Sequence, residues 1–323
     1  MPAVTAENIL VLPRIARPDA DTARFRPVAR IASAHKQLEG AGFPVARPFP
    51  GQVSPEEADP FLLLDHLGPI EWGPGEPVGA PWHPHRGFET VTYILDGQIE
   101  HHDSTGGGGL IANGATQWMT AGGGILHDEM PPEELVRKGG LFHGTQLWVN
   151  LPAKLKMTPP RYQSIEPSDV KLLASDDGGA LVRIIAGDVT GYEGPGTTWT
   201  PITYLHASVS PGAQLQLPWR ADFNAMVFVL EGAGSAGLEE RPIKADQLAV
   251  FGPGDALSLR AAVRQDSATG QLEVLVLGGR PLHEPVMFYG PFVMNTEAEI
   301  AQAISDYRAG RMGTIPAAVL NKG

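Results

Sequence analysis

The residues best suited to chemistry are His83 and His85, set two apart, and a second pair with the same spacing, His127 and Glu129. In an extended segment, positions i and i+2 project from one face. Each pair therefore presents two donor groups to one side, while the intervening Asp128 should point the other way. If two such strands line one barrel interior, three imidazole nitrogens and one carboxylate oxygen converge. That set suits Fe(II), Mn(II), Ni(II), Cu(II) or Zn(II) and disfavours Mg and Ca, which want oxygen ligands. Four protein ligands on an octahedral ion leave positions open for water, dioxygen or substrate, as a catalytic site requires. A single such pair is more often solvated or hydrogen-bonded. Two pairs in one apolar, glycine-punctuated β-block favour ligation, because ionisable residues rarely point into a small barrel unless paired or ligated.

Other polar residues compete less well. Glu89, four residues after His85, is a rival for the oxygen position. His101 and His102 sit on a strand, so one of them must face inward; a satisfied core histidine or a solvent-facing one is the expectation for both. His143, between Phe142 and Gly144, reads as a loop histidine. Gly106 to Gly109 reads as a loop, and with no Lys-Ser/Thr and no helix after it, it is no phosphate cradle. There is no Gly-x-Ser-x-Gly elbow and no convincing catalytic triad.

The elements that must hold these groups read as strands. Phe88 to Leu95 is rich in β-branched and aromatic residues and stops at Asp96-Gly97, a hairpin signal. Gln98 to His102, Thr116 to Thr120, Ile125 to Glu129 and Thr145 to Leu151 follow between glycine-rich turns. After a Lys- and Pro-rich linker the pattern restarts. Met226 to Leu230 ends in Glu231-Gly232, as the earlier strand ends in Asp96-Gly97, and Pro218-Trp219 echoes Pro81-Trp82. This reads as a weak internal duplication, two similar β-domains in tandem. Residues 1–58 read as a short strand or two and then a long surface arm. Thr296 to Gly310 reads as a helix, with a Thr296/Glu299 capping box, a face of Ile300, Ala303, Ile304 and Tyr307, and Gly310 as its stop.

Composition sets the outer bounds. The 323 residues suffice for two domains, and 39 Gly with 30 Pro fit an all-β chain with many tight turns. With no cysteine, disulfides, zinc–thiolate sites and thiol nucleophiles are excluded. A cysteine-free chain fits a reducing compartment, and a cytoplasmic location is expected. No apolar run has membrane-spanning length, and the start lacks the basic and apolar regions of a secretion signal. The net charge of −12, without a Lys/Arg-rich run, argues against direct nucleic-acid binding.

The runs HPHRGFETVTYILDGQIEHHDS, TQWMTAGGGILHDEM and TQLWVNLP, with DPFLLLDHLGP upstream and GPFVMNT downstream, closely resemble the pirin family. The resemblance covers about residues 25 to 310. It implies an all-β bicupin, two tandem cupin-type β-barrels with a C-terminal helix. It implies an arm and first strands over 1–58, a metal-binding barrel over 59–155, and a second barrel without metal, plus the helix, over 156–323. The family's ligand set falls on His83, His85, His127 and Glu129, which decides against Glu89. Aligning the two hairpins puts Pro218 and Arg220 opposite His83 and His85, and neither replaces an imidazole. One divalent metal is implied, Fe(II) first, with Mn, Ni, Cu or Zn as alternatives. The activity implied is quercetin 2,3-dioxygenase chemistry on a flavonol with dioxygen, with Glu129 as assisting base; Phe88, Trp118 and Met119 are candidates for an apolar pocket mouth, with core packing the equal alternative for all three. The alternative is a metal- or redox-sensing regulator that binds a protein partner, such as a transcription factor or a metabolic enzyme. The family normally carries a small residue where Asp128 stands, and the arm over about 35 to 58 is longer than a minimal member needs.

Overall fold

The computed structural model describes residues 4–19 and 21–316. Two β-barrels are each built from a seven-stranded and a four-stranded antiparallel sheet. In the first barrel the large sheet runs Arg161–Ile165, Thr116–Thr120, Phe88–Asp96, Gly140–Asn150, Phe61–Trp72, Phe43–Phe49 and His35–Glu39. Its small sheet runs Ala80–His85, Ile125–Met130, Gln98–Asp103 and Gly108–Ala112. The second barrel repeats both orders. Its large sheet runs Val28–Ser33, Gln247–Phe251, Met226–Glu231, Leu272–Gly279, Ile202–Val209, Ala180–Ala186 and Lys171–Ala174. Its small sheet runs Gln214–Pro218, Ala256–Ala261, Ala233–Ala236 and Arg241–Lys244. The tandem duplication of β-domains is thus present at the level of strand order.

The segment read as a surface arm is instead paired. Val28–Ser33 forms an edge strand of the second barrel, and His35–Glu39 with Phe43–Phe49 forms a hairpin that extends the first. The physical reason is that Phe43, Val45 and Phe49 are buried, so this hairpin carries its own core face. Gly108 begins a strand where a loop was expected. His143 is likewise in a strand, not a loop, and is buried.

Parity along the strand Phe88–Asp96 governs the whole site. Both faces are buried, because one looks into the first barrel and the other onto the second. Val91, Tyr93 and Leu95 join a core shared with Tyr204, Phe228, Leu275 and Leu277 of the second barrel. Thr92 turns inward, where it bonds Glu129. The second barrel's interior is apolar, filled by residues such as Leu215, Leu217, Leu257 and Leu259.

The seam between the barrels also carries a polar cluster. His66 and His143 of the first barrel face each other with their Nε2 atoms 2.8 Å apart. Their Nδ1 atoms look to the second barrel, at Asp246 Oδ1 (3.1 Å) and Glu231 Oε1 (3.7 Å). Burial, with His66 and His206 beside it, pushes the His143 pKa down to about 3. A histidine depressed in the folded state binds fewer protons than in the unfolded chain, so stability is whole above about pH 6.5 and falls as pH drops toward 3. One such group gives a slope of up to about 1.4 kcal/mol per pH unit. We expect His143→Asn to flatten the pH dependence of the thermal midpoint between pH 6.5 and 4; an unchanged slope would assign that dependence to other groups.

The last helix, Glu297–Arg308, has its Thr296/Glu299 capping box and buries Ile300 and Ala303. Tyr307 does not share that face; it is exposed, and Asp306 is turned inward instead, where its Oδ2 meets Arg86 Nη1 at 2.7 Å. Arg86 follows His85 directly, so the helix braces the strand that carries the first histidine pair. No helix among the described residues is long and apolar enough to cross a membrane.

Candidate metal centre

The small sheet of the first barrel brings the two pairs side by side. In the antiparallel register His127 lies opposite His83, and Ile125 opposite His85. A register shift follows between His127 and Glu129. His83, His85 and His127 each offer a ligand atom within 4.8 Å of the others; His101, His127 and Glu129 form a second such group.

The hydrogen bonds assign the tautomers. His83 Nδ1 donates to the Pro81 carbonyl at 2.8 Å, and His85 Nδ1 to the Pro291 carbonyl at 3.2 Å. In a neutral imidazole the other nitrogen is then bare. The two bare Nε2 atoms nevertheless stand 3.1 Å apart. His127 Nε2 is buried and has no hydrogen-bond partner. Lone pairs held this close repel unless they share a cation, so the donor set fits a divalent metal. Burial, and then neighbouring imidazoles, push the pKa of His85 and His127 well below the usual range, which keeps both in the neutral form a metal needs.

Glu129 is fixed by the large sheet. Its Oε1 accepts from Thr92 Oγ1 (2.8 Å) and Gln117 Nε2 (2.6 Å), and its Oε2 from Gln146 Nε2 (2.7 Å). Thr92 pairs with Gln117 on one neighbouring strand and with Gln146 on the other, so one register row supplies all three donors. Glu89 lies on the opposite parity. It faces the seam, bonded to Thr120 Oγ1 and to Thr198 of the second barrel, and lies in neither donor group.

Asp128 points away from the interior. Its Oδ1 meets His102 Nδ1 at 3.0 Å on the outer side. We expect Asp128→Ser to leave metal content and activity within about twofold and to cost at most about 1 kcal/mol of stability, because the pair is partly exposed. Metal analysis and a denaturation curve of the variant check both.

A cavity of about 560 Å³ opens onto His83, His85 and Glu129. Phe88, Trp118 and Met119 do not form its mouth; all three are fully buried. Phe88 instead backs the wall, stacked on Trp148 at 4.3 Å. The aromatic lining is Trp82, Trp148 and Phe288, with Trp148 and Phe288 near parallel at 5.8 Å. Arg47, Asp65 and Glu39 supply a charged wall, and Arg47 grips Asp65 through two bonds of 2.7 Å. Two of these residues, Glu39 and Arg47, come from the hairpin His35–Glu39 and Phe43–Phe49.

The sequence alone did not single out Pro291 and Phe288, which sit about 200 residues after His85 and reach it only because the hairpin Met287–Tyr289 and Phe292–Met294 folds back over the first barrel. Gly87 permits that approach: its φ is +91°, and a Cβ there would lie 2.0 Å from the Val293 carbonyl oxygen. Gly-Pro-Phe at 290–292 was the visible trace, without an assigned role.

Comparison with known proteins agrees with this architecture. The family model "Pirin" matches residues 42–149, and "Pirin C-terminal cupin domain" matches 204–313. Pirin-like protein 2 of Arabidopsis thaliana is 42% identical over 293 residues, covering 89% of this chain and 86% of its own. The crystal structure of a quercetin 2,3-dioxygenase from Acinetobacter baumannii superposes with a TM-score of 0.83 at 40% identity, over 91% of this chain and all of that one. The bacterial pirin YhhW of Escherichia coli, solved with nickel(II), shares the fold at 19% identity and a TM-score of 0.57, over 78% of this chain and 99% of its own. Two family domains in order, on two barrels of matching strand order, place this chain in the pirin family.

Proposed function

We propose that this protein is a metal-dependent oxygenase that opens flavonols such as quercetin, with His83, His85, His127 and Glu129 as the metal ligands. The observation that carries the reading is the convergence of three imidazoles, with His83 and His85 facing an open, aromatic-walled cavity and the Nε2 of His127 buried behind them without a hydrogen-bond partner. The quercetin 2,3-dioxygenase name of a relative 40% identical to this chain supports the substrate class. A divalent metal held there lowers the pKa of a hydroxyl that ligates it and supplies the redox chemistry for dioxygen. Fe(II) is the first expectation, with Mn, Ni or Cu as alternatives; Zn fits the donor set and would lower the hydroxyl pKa, but it supplies no redox chemistry.

The chain's own residues then divide the work. Trp82, Trp148 and Phe288 seat a flat aromatic ring, since planar π-faces pack well on one another. Glu129 Oε1 is saturated by two donors, whereas Oε2 has one and keeps a lone pair for the cation or for the proton of the substrate hydroxyl. Gln146 fixes Oε2, and its own Oε1 accepts from Trp148 Nε1 at 3.3 Å, tying the carboxylate to the aromatic wall. The overall reaction inserts both atoms of dioxygen, breaks the heterocycle and expels carbon monoxide. The test is metal analysis of protein purified without oxygen, followed by oxygen uptake on quercetin. Protein that holds no divalent metal under these conditions would refute the reading.

A further inference from the structure

We infer that Asp103 and His101 form a relay that sets the tautomer of His127, so that its Nε2 is presented bare to the metal; this rests on the ligand set proposed above. His101 lies directly across the small sheet from Glu129, and Asp103 across from His127, so all four project into the barrel. His101 and Asp103 are fully buried. His127 Nδ1 and His101 Nδ1 are 3.3 Å apart, a contact that requires one proton between two nitrogens. Either ring can be the donor, and the choice decides whether His127 Nε2 is a ligand or an N–H.

Asp103 makes the choice. Its Oδ1 accepts from Thr105 N (2.7 Å), Thr105 Oγ1 (2.6 Å) and Gly107 N (3.0 Å). Its Oδ2 faces His101 Nε2 at 3.5 Å, and neither atom has a closer partner. Three donors converge on one oxygen of this carboxyl, the arrangement that holds a carboxylate as an acceptor. An ionised carboxylate only accepts, so the proton of His101 sits on Nε2 and its Nδ1 is bare. His127 must then donate through Nδ1, and its Nε2 is left as a lone pair. Gly107 belongs to the device: a Cβ there would lie 2.5 Å from Asp103 Oδ2. Tyr162 stacks on the His101 ring at 5.1 Å and fixes its plane. Orienting partners of this kind typically contribute about 10- to 100-fold in metal affinity.

The decisive variant is Asp103→Asn. Three donors on Oδ1 require the amide oxygen there, so the new NH₂ points at His101. His101 Nε2 becomes an acceptor, its Nδ1–H donates to His127, and His127 Nε2 gains the proton. The full chain is loaded with Co(II), and its affinity is read by chelator competition alongside the visible ligand-field spectrum. We expect about 10- to 100-fold weaker binding and a changed spectrum for Asp103→Asn. His101→Leu should do the same, whereas His101→Gln should remain near wild type, because its amide can donate to Asp103 and accept from His127. The thermal midpoint of each metal-free variant reports folding, and the Gln/Leu pair decides the matter if Asp103→Asn is unstable. Affinities within twofold of wild type and unchanged spectra for Asp103→Asn and His101→Leu would overturn the relay. Failure of the wild type itself to bind Co(II) would instead refute the ligand set.

Discussion

His127→Ala should lower the affinity for a divalent metal by about two to three orders of magnitude. Taking the about 10–16 kcal/mol of four-ligand structural zinc sites as a scale, one ligand's share is about 2.5–4 kcal/mol. Of the four proposed ligands, His127 is the one whose loss should be felt most. It stands across from His83 and belongs to both donor groups. It is also completely buried, so no water easily takes its place. His102→Ala is the matched control, because His102 bonds Asp128 on the outer side of the same sheet. Metal stoichiometry after gel filtration, with the thermal midpoint of the metal-free forms, reads the result. Full occupancy in the His127 variant would remove it from the ligand set.

The first-barrel strands and the spacing of the pairs were legible because they depend on local chemistry. Thr116–Thr120 emerges with the bounds read from sequence, and the strand ending at Asp96-Gly97 extends by one residue. Period-two alternation correctly sent Asp128 outward. What local reading could not supply was register. Which of His101 and His102 faces inward depends on which lies opposite Glu129, and only the pairing of Gln98–Asp103 with Ile125–Met130 gives that. Glu89 is inside the protein but on the face that meets the second barrel, a parity invisible without knowing that this sheet is covered on both sides. Phe88, Trp118 and Met119 were apolar and near the ligands in sequence, yet the sheet is buried on both faces and claims all three for packing. The groups that complete the site, Pro291 and Phe288, come from the far end of the chain, where no local pattern points back to His85.

Oxygen uptake on quercetin should separate an oxygenase from a metal-sensing regulator, and Glu129→Gln should make the separation sharp. A regulator needs only a surface that responds to the metal's oxidation state, whereas an enzyme needs a group that takes the hydroxyl proton and a pocket that seats the ring. Glu129 is placed for the first task beside the lining that suits the second. The substitution is isosteric but cannot satisfy its surroundings: Thr92 and Gln117 donate to one oxygen and Gln146 to the other, so an amide nitrogen at either position meets a donor. We expect flavonol turnover to fall by about a thousandfold, within the span that general-base groups contribute, together with a loss of metal affinity. Reconstituting the variant at saturating metal distinguishes the two effects, because turnover should stay low even when the site is filled. If wild-type protein loaded with Fe, Mn, Ni or Cu turns over no flavonol, the oxygenase reading falls. Pull-down with the reduced and oxidised forms then tests the regulator. Turnover that survives Glu129→Gln at full metal occupancy would leave the oxygenase standing but take the proton-accepting role from this carboxylate, and its three neutral donors would then serve only to orient a metal ligand.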